Sequence, residues 1–285
     1  MAGNPRAVVV TGASEGLGRA TATLLAEEGY RVFGTTLSEA ESDDLSSATE
    51  GGVTPIVMDI TDDAQVEEMA RIVDEQVGDQ GLFALISNAG ILVPGPMEIV
   101  SMEGIRRQFD VNVFGHVATI KALLPALRRG RGRIVEIGSL TGHVALPYKG
   151  ILAGSKFAME GLMDLLRREL LPWSIPVTIV RAGKMRTNAL PKAARNQQAL
   201  IDGLTPEQEA LYGESLRRFA KADLEAADGG IDPKGVATQI AGLLADPNPP
   251  TRVLTGPEDQ KILDLVDSLS DQEADQKIAH MMGVI

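Results

Sequence analysis

Eight residues near the start of the chain, Thr11-Gly12-Ala13-Ser14-Glu15-Gly16-Leu17-Gly18, place three glycines between a run that reads as a strand and one that reads as a helix. Glycine lets the backbone turn tightly and approach a pyrophosphate, while a helix start offers unpaired N–H donors and the positive end of the dipole. The chemistry implied is the holding of a dinucleotide. Glycine spacing alone is a weak signal, but a strand before and a helix after is the context that this chemistry requires. Thiol chemistry is excluded, because the 285 residues contain no cysteine and so no disulfide or thiolate metal site. The three histidines, His116, His143 and His280, are too scattered in sequence to suggest a metal cluster, and no metal is expected. A formal charge of −12 disfavours nucleic acid as a partner.

The elements that must position this loop follow a clear rhythm. Residues 7–11 form a continuous apolar run bounded by Gly12, as in a strand buried on both faces. Residues 18–28 are rich in Ala and Leu at helical spacing, and 31–35 return as a strand. The pattern predicts further strands at 53–58, 82–87, 133–138, 176–181 and 252–254. Helices are predicted at 62–77, 102–128 with Pro125 as a candidate kink, 152–171 and 233–245. Such alternation predicts an α/β fold, a parallel sheet covered by helices on both sides. Residues 185–228 break the rhythm and read as an excursion of helices and loop over the substrate opening, and a charged helical tail begins at 257. No repeat or linker justifies a cut, so residues 1–285 are expected to form a single domain. The first ten residues lack a signal-peptide core and no apolar run is long enough for a membrane span, so a soluble, cytoplasmic protein is expected.

A second segment carries reactive side chains. Ser139 is followed by Leu140-Thr141-Gly142, and Lys156 stands in Leu152-Ala153-Gly154-Ser155-Lys156-Phe157-Ala158. This stretch resembles the active site of the short-chain dehydrogenase/reductase family, in which a serine is followed thirteen residues later by a tyrosine and then, four residues on, by a lysine. Serine and lysine keep that spacing, and Leu152 stands where the tyrosine is expected. The resemblance spans about residues 6–190 and implies a doubly wound, Rossmann-like parallel sheet. It implies that Gly12, Ser14, Glu15, Gly16, Leu17 and Gly18 cradle the dinucleotide, and that Asp59, with Ile60, holds the adenine edge. Asn88, Ala89 and Gly90 would line the cofactor, and Asn112 would hold a water beside the lysine. Ser139 would address a substrate carbonyl oxygen, and Lys156 would bind the nicotinamide ribose. Relatives carry Pro-Gly and then Thr at the end of the sixth strand. Here Ala182-Gly183 replaces the pair, leaving Gly183 and Thr187 to meet the nicotinamide.

After the second strand, Thr35-Thr36-Leu37-Ser38 supplies neither the acid of NAD-binding relatives nor the base of NADP-binding ones. The hydroxyls of this stretch, Thr36 among them, can bond a 2′-phosphate without repelling it. NADP is therefore the preferred cofactor and NAD the other. Leucine cannot move a proton, so loss of the tyrosine predicts an atypical enzyme with an altered donor. Tyr148 is the better substitute and His143 the second. Three readings compete: an NAD(P)-dependent oxidoreductase acting on a carbonyl or secondary alcohol of an apolar small molecule; a cofactor-binding, silent subunit beside an active paralogue; and a non-redox cyclase, lyase or isomerase on the same fold. The helices at 102–128 and 152–171 resemble those through which relatives form dimers and tetramers, so a homo-oligomer is expected, with a hetero-oligomer under the second reading.

Overall fold

A computed structural model describes residues 5–186 and 189–285. Seven strands, β1 (Ala7–Val10), β2 (Arg31–Thr36), β3 (Val53–Val57), β4 (Ala84–Ser87), β5 (Arg133–Ile137), β6 (Val177–Arg181) and β7 (Arg252–Leu254), form one sheet. Its order is β3-β2-β1-β4-β5-β6-β7, and every neighbouring pair is parallel. The helices are α1 (Gly16–Glu27), α2 (Glu39–Ala48), α3 (Asp63–Val77), α4 (Met102–Phe109), α5 (His116–Gly130), α6 (Leu152–Glu169), α7 (Ala189–Asp202), α8 (Pro206–Gln208), α9 (Glu214–Asp228), α10 (Pro233–Ala245), α11 (Pro257–Asp267) and α12 (Asp271–Met281).

Alternation along β1 shows why the sheet is covered twice. Val8 and Val10 join Leu25 of α1, Leu45 of α2 and Ile240 of α10 in one apolar cluster. Ala7 and Val9 point the other way, into a second cluster with Met69 of α3, Leu123 of α5 and Met159 of α6. Successive strand side chains leave opposite faces, so a strand apolar at every position must be packed on both. Leu25, Leu45, Met69 and Leu123 are at most 1% exposed, and each such burial contributes about 1.5–3 kcal/mol. The result is a single α/β domain of doubly wound, Rossmann-like form. The chain winds outward from β1 through β2 to β3, then crosses back to β4 beside β1. That reversal opens a crevice at the carboxyl ends of β1 and β4, where ligands of such sheets bind.

The helix α2 escapes the periodicity of the sequence, because only Ser42 and Leu45 of its ten residues are buried. Its signal is local: the Ser38 side chain caps the helix by accepting from the Glu41 N–H. The single helix expected at 102–128 is interrupted. α4 passes through a π-helical turn, Asp110–Gly115, before α5 continues, and Pro125 lies inside α5. Between residues 185 and 228 the elements are α7, α8, a second π-helical turn at Glu209–Gly213 and α9. No described helix is long and apolar enough to cross a membrane.

Candidate active site

The glycine loop is held by short side chains that bond its backbone and that of the turn after β4. Gly12 has φ +63°, a left-handed conformation that favours glycine, and its N–H donates to Thr35 Oγ1 at 3.0 Å. Thr11 Oγ1 accepts the N–H groups of Asn88 and Ala89 at 2.8 and 3.0 Å, and Asn88 Nδ2 donates to the carbonyls of Thr11 and Gly12 at 2.9 and 3.1 Å. A Cβ on Gly18 would collide with the Gly12 carbonyl and come 2.6 Å from Asn88 Nδ2. So the loop after β1 and the Asn88-Ala89-Gly90 turn after β4 are one unit. Above it, α1 begins with neither a side-chain cap nor an acid in its first turn. Gly16 and Leu17 thus start a helix whose N–H donors fit an anionic group, as a pyrophosphate requires. Ser14 is half-buried beside it, and Glu15 is exposed.

The residues expected to meet the adenosine are arranged differently in detail. Thr36 is buried, and its hydroxyl is engaged by Ser42 Oγ at 2.7 Å. The polar group presented at the end of β2 is Glu41, whose Oε2 accepts the Leu37 N–H at 2.9 Å. This carboxylate comes from α2 and is invisible to a search confined to the residues just after the strand. Asp59 Oδ1 accepts from the Thr61 N–H and hydroxyl at 2.9 and 2.7 Å, and Arg107 lies 3.6 Å from Oδ2. Partial burial opposes ionisation of Asp59, but Thr61 and Arg107 outweigh it and keep its pKa below the usual carboxylate value. Ile60 is buried next to it.

The chemical end gathers Asn112, Ser139 and Lys156 from three elements. Asn112 sits in the π-helical turn, fully buried, its Oδ1 accepting from the Ile91 N–H at 2.9 Å and its Nδ2 donating to the Ile91 carbonyl at 3.0 Å. The same Nδ2 is 3.4 Å from Ser155 Oγ on α6. Ser139 follows β5, half-buried, and its Oγ accepts from the Thr141 N–H and hydroxyl at 3.1 and 2.9 Å. Lys156 is 8% exposed, and its Nζ donates to the Ile137 carbonyl at 2.7 Å, which fixes the amine at the end of the strand that leads to Ser139. Burial pulls the Lys156 pKa below the usual lysine value, and the Glu136 carboxylate opposes that fall.

The expectation that Leu152 has taken the place of the site's tyrosine is corrected here. Leu152 is the half-buried first residue of α6, and its carbonyl accepts from Ser155 Oγ at 2.7 Å. The tyrosine of the site is Tyr148, on the loop that runs into the helix bearing Ser155 and Lys156. It is half-buried with φ +60°, its hydroxyl 3.0 Å from Ser215 Oγ in a hydrogen-bonded network and its ring edge-on to Phe219 and Tyr212. The phenol is therefore present, and the site is not one that has lost it. His143 turns elsewhere, with Nε2 2.8 Å from Asp267 Oδ1 of α11.

At the end of β6 the Gly183 N–H donates to Thr255 Oγ1 at 2.9 Å, and the buried Asp259 carboxyl of α11 packs where a Gly183 side chain would stand. Burial pushes the Asp259 pKa up. Thr187 lies outside the described residues. Sequence reasoning also missed the clasp on this side. Asp223 of α9 binds both Lys149, beside Tyr148, and Lys184, after β6, while Tyr212 bonds Glu98. Among the described residues no group of His, Asp and Glu is arranged to hold a metal.

A doubly wound sheet with a glycine loop at the reversal of strand order, and a serine and a buried lysine beyond it, defines a Rossmann-like oxidoreductase fold. The chain belongs to the short chain dehydrogenase family, which it matches over residues 6–198, and it is thus an NAD(P)-dependent oxidoreductase of that general type. It is 34% identical over 255 residues to a 3-ketodihydrosphingosine reductase of Bacteroides thetaiotaomicron, covering 89% of this chain and 88% of that one. In structure it resembles a short chain dehydrogenase/reductase from Burkholderia phymatum in complex with NAD (TM-score 0.76, 23% identity, 93% of each chain). A short chain dehydrogenase from Burkholderia cenocepacia in complex with NADP is also similar (TM-score 0.72, 23% identity, 95% of each chain). At these identities the two structures speak for the fold.

Proposed function

We propose that this protein interconverts a carbonyl and a secondary alcohol on an apolar small molecule. Ser139, Lys156, Asn112 and Tyr148 carry the chemistry, and the glycine loop holds the dinucleotide. The observation that supports this most directly is the buried Lys156 amine anchored on the Ile137 carbonyl, two residues before the Ser139 hydroxyl. A nicotinamide dinucleotide, when bound, supplies or accepts the hydride. The first turn of α1 and the loop from Gly12 to Gly18 would hold its pyrophosphate, Asp59 and Ile60 its adenine, and Asn88, Ala89, Gly90, Gly183 and Thr187 its inner side. Ser139 donates its hydrogen bond to the carbonyl oxygen, and Lys156 bonds the ribose. Tyr148, whose phenol can both donate and accept, moves the proton to and from the substrate oxygen.

Both NAD and NADP fit the loop. Glu41 at the end of β2 bonds ribose hydroxyls well and repels a 2′-phosphate, which weighs toward NAD against the hydroxyl-rich run at Thr35 and Thr36. Residues 185–228 act as the cover of the substrate opening, tied down through Asp223, Ser215 and Tyr212. The chain assembles as a homo-oligomer through the face where α6 packs on the π-helical turn, since Phe114 and Phe157 are 62% and 46% exposed there. Sedimentation velocity checks this, and a monomer at micromolar concentration would remove it.

The decisive experiment is turnover of ketones with NADH and NADPH by the wild type and three variants. Tyr148→Phe should lower turnover by about 10²–10⁴-fold, the usual worth of general acid/base catalysis, with cofactor affinity unchanged. Leu152→Ala should stay within about threefold of wild type, since it does no proton chemistry. A Tyr148→Phe enzyme as fast as wild type, or a large gain on Leu152→Tyr, would overturn the assignment of the donor.

A further inference from the structure

The end of the chain touches the site at three places, although none of its residues enters the chemistry above. Pro257 opens α11, and a capping box between Ser270 and Glu273 opens α12. The first place lies just before α11, where Thr255 Oγ1 accepts the Gly183 N–H at 2.9 Å. The second is the loop after Ser139. Leu140, Val144 and Leu146 of that loop share an apolar cluster with Ile262, Leu263 and Val266 of α11 and Ile278 of α12. Beside the cluster, His143 Nε2 lies 2.8 Å from Asp267 Oδ1. The third place is α9. Gly283 ends α12 in the left-handed region, φ +68°, and its N–H and that of Val284 bond back to the His280 and Ala279 carbonyls at 3.2 and 2.9 Å. This turn presents two carbonyls to one guanidinium: those of Gly283 and Val284 accept from Arg218 Nε and Nη2 at 3.0 and 3.3 Å. Ser215 and Phe219, four residues apart on one face of α9, meet Tyr148, while Arg218, one position before Phe219, meets the chain end.

We propose that Arg218 and Gly283 are positioning residues: through them the segment from α11 to Val284 is a strap that holds Ser139 and Tyr148 in register, the first through the Leu140 loop and the second through α9. The proposal rests on the reading of Ser139 and Tyr148 as the groups that meet the substrate oxygen. Between these two residues the chain has a single short helical turn, Leu140–Gly142, and no strand, so its path is imposed from outside. The strap supplies that constraint on both sides, with an apolar cluster against the loop and a two-carbonyl anchor on the helix that meets the phenol. A misplacement of about 1 Å can slow a reaction about a hundredfold, so two groups carried by separate elements need a common support. The glycine loop needs none, because Thr11 and Asn88 already bond it to the turn after β4.

The test is hydrogen–deuterium exchange on the full chain, followed by turnover of ketones, for the wild type, Gly283→Val, Arg218→Ala and Arg218→Lys. Valine at 283 is strained by the left-handed backbone, and its Cβ would come 3.1 Å from Arg218 Cβ, so it should lift the strap's end without touching a site residue. In that variant the amides of residues 215–222 on α9 and those of Gly142, His143 and Val144 should exchange about tenfold faster, while residues 11–18 and 88–90 stay within about twofold of wild type. Arg218→Ala should repeat the pattern, and Arg218→Lys, which keeps a donor for one carbonyl, should recover part of it. In Gly283→Val and Arg218→Ala kcat should fall by about three- to tenfold with cofactor affinity unchanged, which a merely structural role would not cause. Unchanged exchange at α9 or at residues 142–144 would overturn the proposal, as would an equal gain in the two cofactor loops or an unmoved kcat. Arg218→Lys keeps the question open to decision even where valine at 283 prevents folding. Exchange needs no turnover, so a wild type that reduces nothing would count against the proposed function and not against the strap.

Discussion

The glycine-loop end and the Tyr148 end of the site are built by opposite means. At the first, Thr11, Gly12, Asn88 and Ala89 are tied by main-chain and short polar contacts, and Gly18 leaves no room for even one extra carbon. At the second, Tyr148 is held by Ser215, Phe219 and Tyr212, all on the excursion some 65 residues away in sequence. Long charged side chains do the rest, with Asp223 reaching both Lys149 and Lys184. One end is set by short side chains of few torsions bonded to backbone. The other is set by side chains with many torsions, and its geometry depends on α9 staying in place.

Gly18→Val should give the largest break in that comparison. The added carbons meet the Gly12 carbonyl and Asn88, so cofactor affinity measured by calorimetry should fall about 100-fold or more, some 2.7 kcal/mol. Affinity within threefold of wild type would show that the two loops can part.

Asp223→Asn tests the softer end. Burial opposes the charge of Asp223, but Lys149 and Lys184 outweigh it and hold its pKa below the ordinary value. A carboxylate depressed on folding contributes stability above its unfolded pKa, and that contribution is lost only as pH falls through the lower, folded value. The clasp should therefore hold at neutral and mildly acidic pH. Burial pulls the Lys184 pKa down, so its loosening on the alkaline side should come earlier than for an ordinary lysine. The variant should lose about 1–2 kcal/mol of stability and raise KM several-fold, while cofactor affinity is unchanged. Thermal unfolding and steady-state kinetics at pH 7 check this; equal losses at both ends would mean that they are not independent.

The smallest effect is expected at the rim. Glu41→Gln removes one exposed carboxylate at the end of β2 and should improve NADP binding relative to NAD by about five- to tenfold, or ~1 kcal/mol. A ratio that does not move would place the 2′-hydroxyl elsewhere.

Much of this was legible because it is local. A strand such as Ala7–Val10, apolar at every position, can only be buried on both faces, and the glycines after it allow a close approach of backbone, as Gly12 and Gly18 show. Ser139 and Lys156 were paired by the resemblance, and it is the fold that brings Lys156 Nζ to the Ile137 carbonyl, since the connection from β5 to α6 is too long to force the two together. The tyrosine was misread for the same reason. Counting positions to Leu152 supposed that spacing alone chooses the phenol, whereas Tyr148 is held by residues of α9 and its flank that no count along the loop can reveal. The helix α2 was missed because it buries only Ser42 and Leu45, and with it went Glu41.

By itself, then, the sequence determined a parallel sheet wound in both directions and a glycine turn between its first strand and first helix, since each follows from period, spacing or the size of one residue, while the serine–lysine pair was an expectation of the resemblance. Only the tertiary structure decided which side chains face one another across the sheet and the excursion: His116 against Glu136, Asp223 between two lysines, Tyr148 against Ser215. Those pairings join residues 20 to 74 positions apart, and their energies come from burial and distance, which exist only once the chain has folded.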